Sequence, residues 1–463
     1  SIFERISTGT GHTWVTRSVR GPESNSTTTY AYNADGTTAW IVAPAPTGVT
    51  CGVQPTVNLP VGCRALEMIY TGTGTGPSGT KRLAEVKLHI YDPKTGTDGL
   101  PGTEAGMTAI SVAKYSYNSA NELTAAWDPR LGDGTAALKT EFELSDVPVG
   151  SSTKKMVTKL TEPGLQPWSF SYDDQGRLET VTRALDPDTA GYSSSNNTAT
   201  WRVKYDVGLN GDGRPDLRAD ATATWGQPAE AAPAYATAVF EPDYTGGANP
   251  SADGWSYATI SYFDAKGRTT NTATYGAGQW LIDSTRYDAQ NNVVWELDAE
   301  GRDRALAVPE GSTATSAERA EAYASQAIYN STGTRVEATI SPAREIVLDD
   351  GTEISGHTVV ETVYDDEADA ALMPGRPTEG VPAGGYGLKV EERASIIGSP
   401  DFDDATPRLD TIRTRYRYDP FVAGDADGWT TNAPTRTLVE DASINGGWAT
   451  TCLLYTSPSP RDS

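Results

Sequence analysis

No run of about 18 apolar residues occurs in this sequence, so nothing in it reads as a membrane-spanning helix. Positive charge is also short: 37 Lys and Arg stand against 61 Asp and Glu, a formal net charge of −24. Neutralising phosphates needs clustered Lys and Arg, so the composition argues against nucleic-acid binding, and against attraction to anionic lipid. The simpler reading is a solvated acidic exterior that keeps a large chain in solution. Histidine is scarce: His12, His89 and His357 are the only three, and none stands in a metal-ligand spacing. His89 falls inside the apolar run of residues 86–90 and reads as a strand residue. There is no G-x-S-x-G, P-loop or dinucleotide fingerprint. Carboxylates are too numerous to single out an acid/base pair. No catalytic residue, metal or cofactor is expected, and the chain does not read as an enzyme.

Phe is rare (7) while Tyr is common (22). That balance suits many short strands with one wet face, where a tyrosine buries its ring and keeps its hydroxyl hydrated. The tyrosines belong to one recurring phrase. Residues 261–302 hold it twice, as Tyr262-Phe263-Asp264-Ala265-Lys266-Gly267-Arg268 and as Tyr287-Asp288-Ala289-Gln290-Asn291-Asn292-Val293. Leu297-Asp298-Ala299-Glu300-Gly301-Arg302 follows as a half-phrase. Its best copy is Tyr172-Asp173-Asp174-Gln175-Gly176-Arg177-Leu178. Looser copies begin at Tyr32, Tyr91, Tyr117 and Tyr329, with fragments at Tyr364-Asp365 and Tyr418-Asp419. Each reads as a β-hairpin. Asp or Asn opens the turn by accepting backbone N–H bonds. Gly176, Gly267, Asn291 and Gly301 then stand where the chain needs a positive φ, which Gly and Asn adopt at little cost. The aromatic before the turn and the Arg or Val after it begin the paired strands.

Y-D-x-x-G-R-L resembles the signature of the Rhs, or YD-repeat, proteins. The likeness extends to Gly62-Cys63-Arg64-Ala65-Leu66, to the segment from Leu160 to Trp168, to Trp225-Gly226-Gln227, to the segment from Ala238 to Asp243, and to Ala305-Leu306-Ala307. These look like the large secreted Rhs proteins of Gram-positive bacteria, and the resemblance covers nearly all of residues 1–451. It implies an all-β fold of consecutive antiparallel hairpins forming part of a curved shell, an open section of a β-cocoon. It implies encapsulation and delivery of a C-terminal toxic domain, the chain's own partner, with the repeats as wall. The location implied is secreted or cell-wall-associated. Rhs proteins end their core with a P-x-x-x-x-D-P-x-G cleavage motif, and no Asp-Pro of this sequence is followed by x-Gly. The sequence does not begin with Met and reads as an internal fragment. Residues 452–463, CLLYTSPSPRDS, read as one frame of a sequencing adaptor, so they are set aside and residues 1–451 are taken as one repeat segment.

Without Cys452 the cysteines are an even pair, Cys51 and Cys63, which in a secreted protein reads as a disulfide; two buried free thiols are the alternative. Thr315-Ser316-Ala317-Glu318 is a capping-box pattern opening one short helix. Residues 226–254, rich in Ala, Pro and Gly, read as a surface excursion. Asn210-Gly211-Asp212-Gly213-Arg214-Pro215-Asp216 resembles a calcium loop, though Gly208 stands where an acidic ligand is wanted; an ordinary pair of turns is the alternative. Asp425-Ala426-Asp427-Gly428 is a weaker copy. Two other functional classes stay open. A wall-associated carbohydrate-binding or adhesion module, holding cell-wall glycan, would show exposed outer aromatics. A glycan-active enzyme would show a carboxylate pair in a cleft.

Overall fold

The computed structural model describes residues 1–8, 11–20, 27–46, 48–52, 59–72, 81–91, 107–188, 193, 197–366, 368–376, 385–403, 405–418, 434–441 and 447–452. The copy that begins at Tyr91, the acidic run at Asp425, Asp419 and residues 453–463 lie outside these. The chain forms two compact units, Ser1–Arg202 and Val203–Ser463, with strand Thr198–Val207 at the junction.

The fold is all-β, as the hairpin phrases imply. In the first unit each strand pairs antiparallel with the next in sequence, from Ile2–Thr8 through Thr198–Val207. The second unit repeats this meander from Tyr235–Phe240 to Gly447–Cys452. It departs once. Val336–Ile340 pairs with the far half of the long strand Glu353–Tyr364, while Arg344–Val347 forms a separate two-stranded hairpin with its near half.

The two units bury their sheets differently. In the first, one face is covered only near its start, where Ala31, Trp40, Val42 and Ala65 pack with Leu59, Cys51 and Cys63. On the opposite face no cluster of fully buried residues forms among the described residues across nine consecutive strands, from Arg64–Thr71 to the part of Thr198–Val207 that ends at Arg202. Cross-strand register places Leu66, Leu88 and Ile110 together on it, then Phe142, Leu160 and Trp168, then Phe170, Val181 and Trp201. Every one of these is only partly buried. In the second unit the matching kind of face is sealed: Ile260, Ala273, Ile282, Trp295 and Leu297 are at most 3% exposed.

That seal is made by short helices: α1 (Ala219–Thr222), α2 (Ala299–Leu306) and α3 (Ser316–Tyr323). Helix α3 is the expected one, with Thr315 and Glu318 forming a reciprocal capping box. Helix α2 corrects the reading of Gly301. Gly301 is not in a hairpin turn and does not have a positive φ; it lies inside α2, where its N–H donates to the N-cap carboxylate of Asp298 at 2.7 Å. Asp opening a turn and Asp capping a helix are the same local chemistry, and packing against Tyr323 of α3 decides between them. Glycine is required there for closeness: a Cβ would meet Leu297 Cδ1, Asp298 Oδ1 and Tyr323 O at 3.0 Å each. Residues 226–254 are likewise not a surface excursion throughout. Within them only residues 245–253 form a long unburied run; Gln227, Ala231, Ala236, Ala238, Phe240 and Tyr244 are buried, and Ala236 and Ala238 are among the small residues packed in that core.

Candidate functional site

The repeated turns are one structure built many times. In six of them the first residue's N–H bonds to a carbonyl four or five residues on, and its carbonyl accepts from the fourth residue. These turns start at Asn33, Asn118, Asp173, Asp264, Asp288 and Asn330. Their fourth residues all have positive φ: Gly36 (88°), Asn121 (64°), Gly176 (77°), Gly267 (83°), Asn291 (70°) and Gly333 (69°). This is a type I turn closed by a left-handed residue, the three-residue hairpin loop with its bulge. The bulge falls at the aromatic, since the register shifts by one at Tyr32, Tyr117, Tyr172, Phe263, Tyr287 and Tyr329.

The turn carboxylate is spent inside the turn. Asp173 Oδ1 accepts from the N–H of Gln175 (3.0 Å) and of Arg177 (2.8 Å), and Oδ2 from Arg177 Nε (2.8 Å). Asp264 does the same with Lys266 and Arg268. At Asp288 the side chain of Asn292 replaces the arginine. Burial opposes the charge of Asp264, but the Arg268 N–H, its guanidinium and the Lys266 N–H outweigh it and hold the carboxyl below its ordinary value. Asp173 behaves alike. Asp365 uses the same frame around a longer loop, accepting from the N–H groups of Tyr386 (2.9 Å) and Leu388 (2.8 Å).

What the sequence reading did not reach is how turns hold one another. The repeat tyrosine's hydroxyl donates to a carbonyl of an earlier hairpin. Tyr70 reaches Thr38 O (2.8 Å), Tyr117 Leu83 O (2.8 Å), Tyr287 Thr269 O (2.8 Å), Tyr364 Val336 O (3.0 Å) and Tyr418 Lys389 O (2.9 Å). Each acceptor is the residue across the bulge from the preceding hairpin's aromatic. Tyr32 and Tyr172 likewise donate to earlier strands, at Thr16 O and Val157 O, although Val157 pairs with Leu144 and not with an aromatic. Burial pushes the hydroxyls of Tyr172 and Tyr287 up, and that of Tyr418 up to about 12. The residue closing the turn reaches forward. Arg82 Nε donates to Asn121 O (3.1 Å), Arg268 to Asp288 O (3.1 Å), Asn292 to Gly333 O (2.8 Å), and Arg335 pairs with Asp366 (2.5 Å). Arg268 and Arg335 also stack on the next repeat's Tyr287 and Tyr364, at 4.8 and 4.6 Å. Two signals for this lay in the sequence: the preference for Tyr over Phe, which only a hydroxyl explains, and the Arg after the turn glycine.

Other candidates are placed plainly. Cys51 and Cys63 form a disulfide with Cα atoms 5.5 Å apart, both buried beside Trp40. His89 is a buried strand residue, its Nε2 on Glu67 (2.8 Å) and its ring on Trp40 (4.8 Å). The loop at Asn210 is held by its own arginine. Arg214 donates to the carbonyls of Gly208 (3.1 Å) and Asn210 (2.9 Å) and stacks on Trp255 (4.5 Å), so those two loop carbonyls are taken by the chain's own guanidinium. Among the described residues no group of three His, Cys, Asp or Glu is placed to hold a metal, and no helix is long and apolar enough to cross a membrane. The site this chain elaborates is the ladder of turns, and its chemistry is lateral adhesion between hairpins.

No family model and no curated protein matches the sequence. Among solved structures it is similar to the TcdB2-TccC3-TEV crystal structure (TM-score 0.22, 9% identity, covering 96% of this chain and 22% of that one). It is also similar to TcdB2-TccC3-Cdc42 (0.19, 10%, 92% and 19%) and to a Photorhabdus luminescens Tc holotoxin pore (0.14, 8%, 96% and 21%). The chain thus spans about a fifth of the length of the chains it matches.

Proposed function

We propose that residues 1–451 are part of the wall of a secreted Rhs-type toxin shell of a Gram-positive bacterium, enclosing and delivering a toxic polypeptide that follows it in the native protein. The observation that carries this is the apolar face of the first unit. An enzyme or a monomeric binding domain covers such a face with a second layer. A wall leaves it open to the contents. Nine strands presenting Leu66, Leu88, Ile110, Phe142, Leu160, Phe170, Val181 and Trp201, all partly buried and none sealed into a core cluster, suit contact with a non-native chain, whose side chains are themselves apolar and unsorted. The ladder of turns supports the same reading, because it joins each hairpin to its neighbours by contacts that can be repeated without limit. The wall itself needs no catalytic residue.

A second reading, adhesion through cell-wall glycan, is favoured by scattered exposed aromatics: Phe3 and Trp14 on the first two strands, and Tyr235, Tyr257 and Tyr275 in the second unit. Tyr235 stacks on Phe263, whereas Tyr275 meets Trp280 edge-on at 78°. These rings are spread along the chain and, among the described residues, do not form one continuous strip, which ranks this reading below the first. Reading the native coding DNA beyond Thr451 tests the proposal. Further Y-D-x-x-G repeats, a D-P-x-G motif and an unrelated compact domain are expected. A wall-anchoring signal or glycan-binding repeats in their place would overturn it in favour of adhesion.

A further inference from the structure

The second unit carries a cleft of about 760 Å³ that the wall reading does not use. Its floor is the face shared by strands Glu353–Tyr364, Lys389–Ile397 and Leu409–Arg417, and Ala371, Leu372 and Thr406 stand at its sides. Four arginines enter it in a chain whose net charge is −24: Arg393, Arg408, Arg413 and Arg415. Two of them are anchored. Arg408 pairs with Glu361 at 3.1 Å, and Arg415 pairs with the buried carboxylate of Glu391 at 2.7 Å while stacking on Trp448 at 4.3 Å.

The other two are placed against their own electrostatics. Arg393 and Arg413 are direct cross-strand partners, so their side chains rise side by side from the floor. Like charges in that relation destabilise a sheet pair. Among the described residues, Arg393 donates only through Nε, to Glu391 at 2.7 Å. Arg413 donates only through Nη1, to Glu440 at 3.4 Å. Their side chains are 40% and 45% exposed, so the remaining N–H groups of two guanidinium forks face an open, sheltered space. Beside them the hydroxyls of Ser395 and Thr411 are 2.8 Å apart. A planar or tetrahedral oxyanion set between two such forks would take parallel N–H···O bonds from each and cancel their repulsion. The volume suits a small ligand of a few rings.

We propose that this cleft binds a small ligand through an oxyanion group, a carboxylate, sulfate or phosphate, bridged by Arg393 and Arg413. The full chain is titrated calorimetrically with sulfate, phosphate and glucuronate, each against sodium chloride of equal ionic strength. At least one of the three is expected to bind saturably. Arg413→Ala should weaken that binding by about tenfold or more, and Arg413→Lys, which keeps the charge but not the fork, by less. Tighter glucuronate points to an acidic sugar; tighter sulfate or phosphate points to an ester. Without ligand, Arg413→Ala should melt at the same temperature as the parent or above it, because a like-charge pair is relieved. Three outcomes would each overturn the proposal: no saturable binding of any anion, equal affinity in Arg413→Ala, or a lowered melting point in Arg413→Ala that marks the arginine as structural.

Discussion

A single oxygen atom separates Tyr287 from the phenylalanine that the phrase already tolerates at Phe263. In Tyr287→Phe the ring still packs under Arg268, but Thr269 O loses its donor. The expected cost is about 1 kcal/mol, the net worth of one part-buried hydrogen bond, read as a shift of the urea midpoint. No shift would mean that water replaces the hydroxyl and that the ladder holds by packing alone. Asp264 is the stricter test, since its side chain is 2% exposed and spends both oxygens on Lys266 and Arg268. Its folded pKa lies below its ordinary value, about 3.9 in an unfolded chain. The stability it supplies is therefore fully present above about pH 4 and is lost as pH falls through the folded pKa. Asp264→Asn should lower the midpoint at pH 7 and flatten its fall as pH drops below about 4. Parallel acid profiles in parent and variant would show that folding does not lower the pKa of this carboxyl.

At the scale of elements, Gly301→Ala separates intrinsic propensity from fit. Alanine is favoured over glycine in a helix by about 1 kcal/mol, yet here its Cβ would lie 3.0 Å from a backbone oxygen of Tyr323 and from Leu297 Cδ1. A net loss of about 1–3 kcal/mol is expected, because the packed neighbours cannot all give way. A gain would show that α2 has room to shift on the sheet. Reducing the Cys51–Cys63 bond should likewise cost about 2–4 kcal/mol, read as an earlier thermal transition in reductant, because it frees Cys51, Leu59 and Cys63, which pack in the cluster with Trp40 and Ala65. These elements also show what the sequence made legible. Hairpins at Tyr172, Phe263 and Tyr287 could be read in full, since each turn is dictated by residues next to one another. The capping box of α3 could be read for the same reason. The Asp-x-x-Gly of α2 could not be told from a turn, because the deciding contact, Tyr323 against Gly301, comes from another helix. The buried segment around Phe240 was missed because composition cannot separate alanines that face water from alanines packed in a core. The tyrosine staples link residues 15 to 34 apart, which no local rule connects.

For the molecule as a whole, the physical question is why a sheet should stay folded with an apolar face only partly buried. One hairpin is marginal in water. The ladder answers by making each hairpin depend on its neighbours, so that stability is gathered along the array, as in other repeat proteins, and not across a second layer. The face is then free to be chosen for what it touches. If it is open to a non-native chain, a lysine at Leu160 can lay its stem along the face and keep its charge in water. Leu160→Lys should therefore shift the unfolding midpoint by no more than a surface substitution, about 0.5–1 kcal/mol. The same variant should bind a denatured, carboxymethylated polypeptide about tenfold more weakly than the parent, because a charge now stands between Phe142 and Trp168. If Leu160→Lys instead unfolds the protein, the face is covered in the molecule and the wall reading fails. If it stays folded and binds the denatured chain as the parent does, the face is bare but is not the surface that holds the cargo.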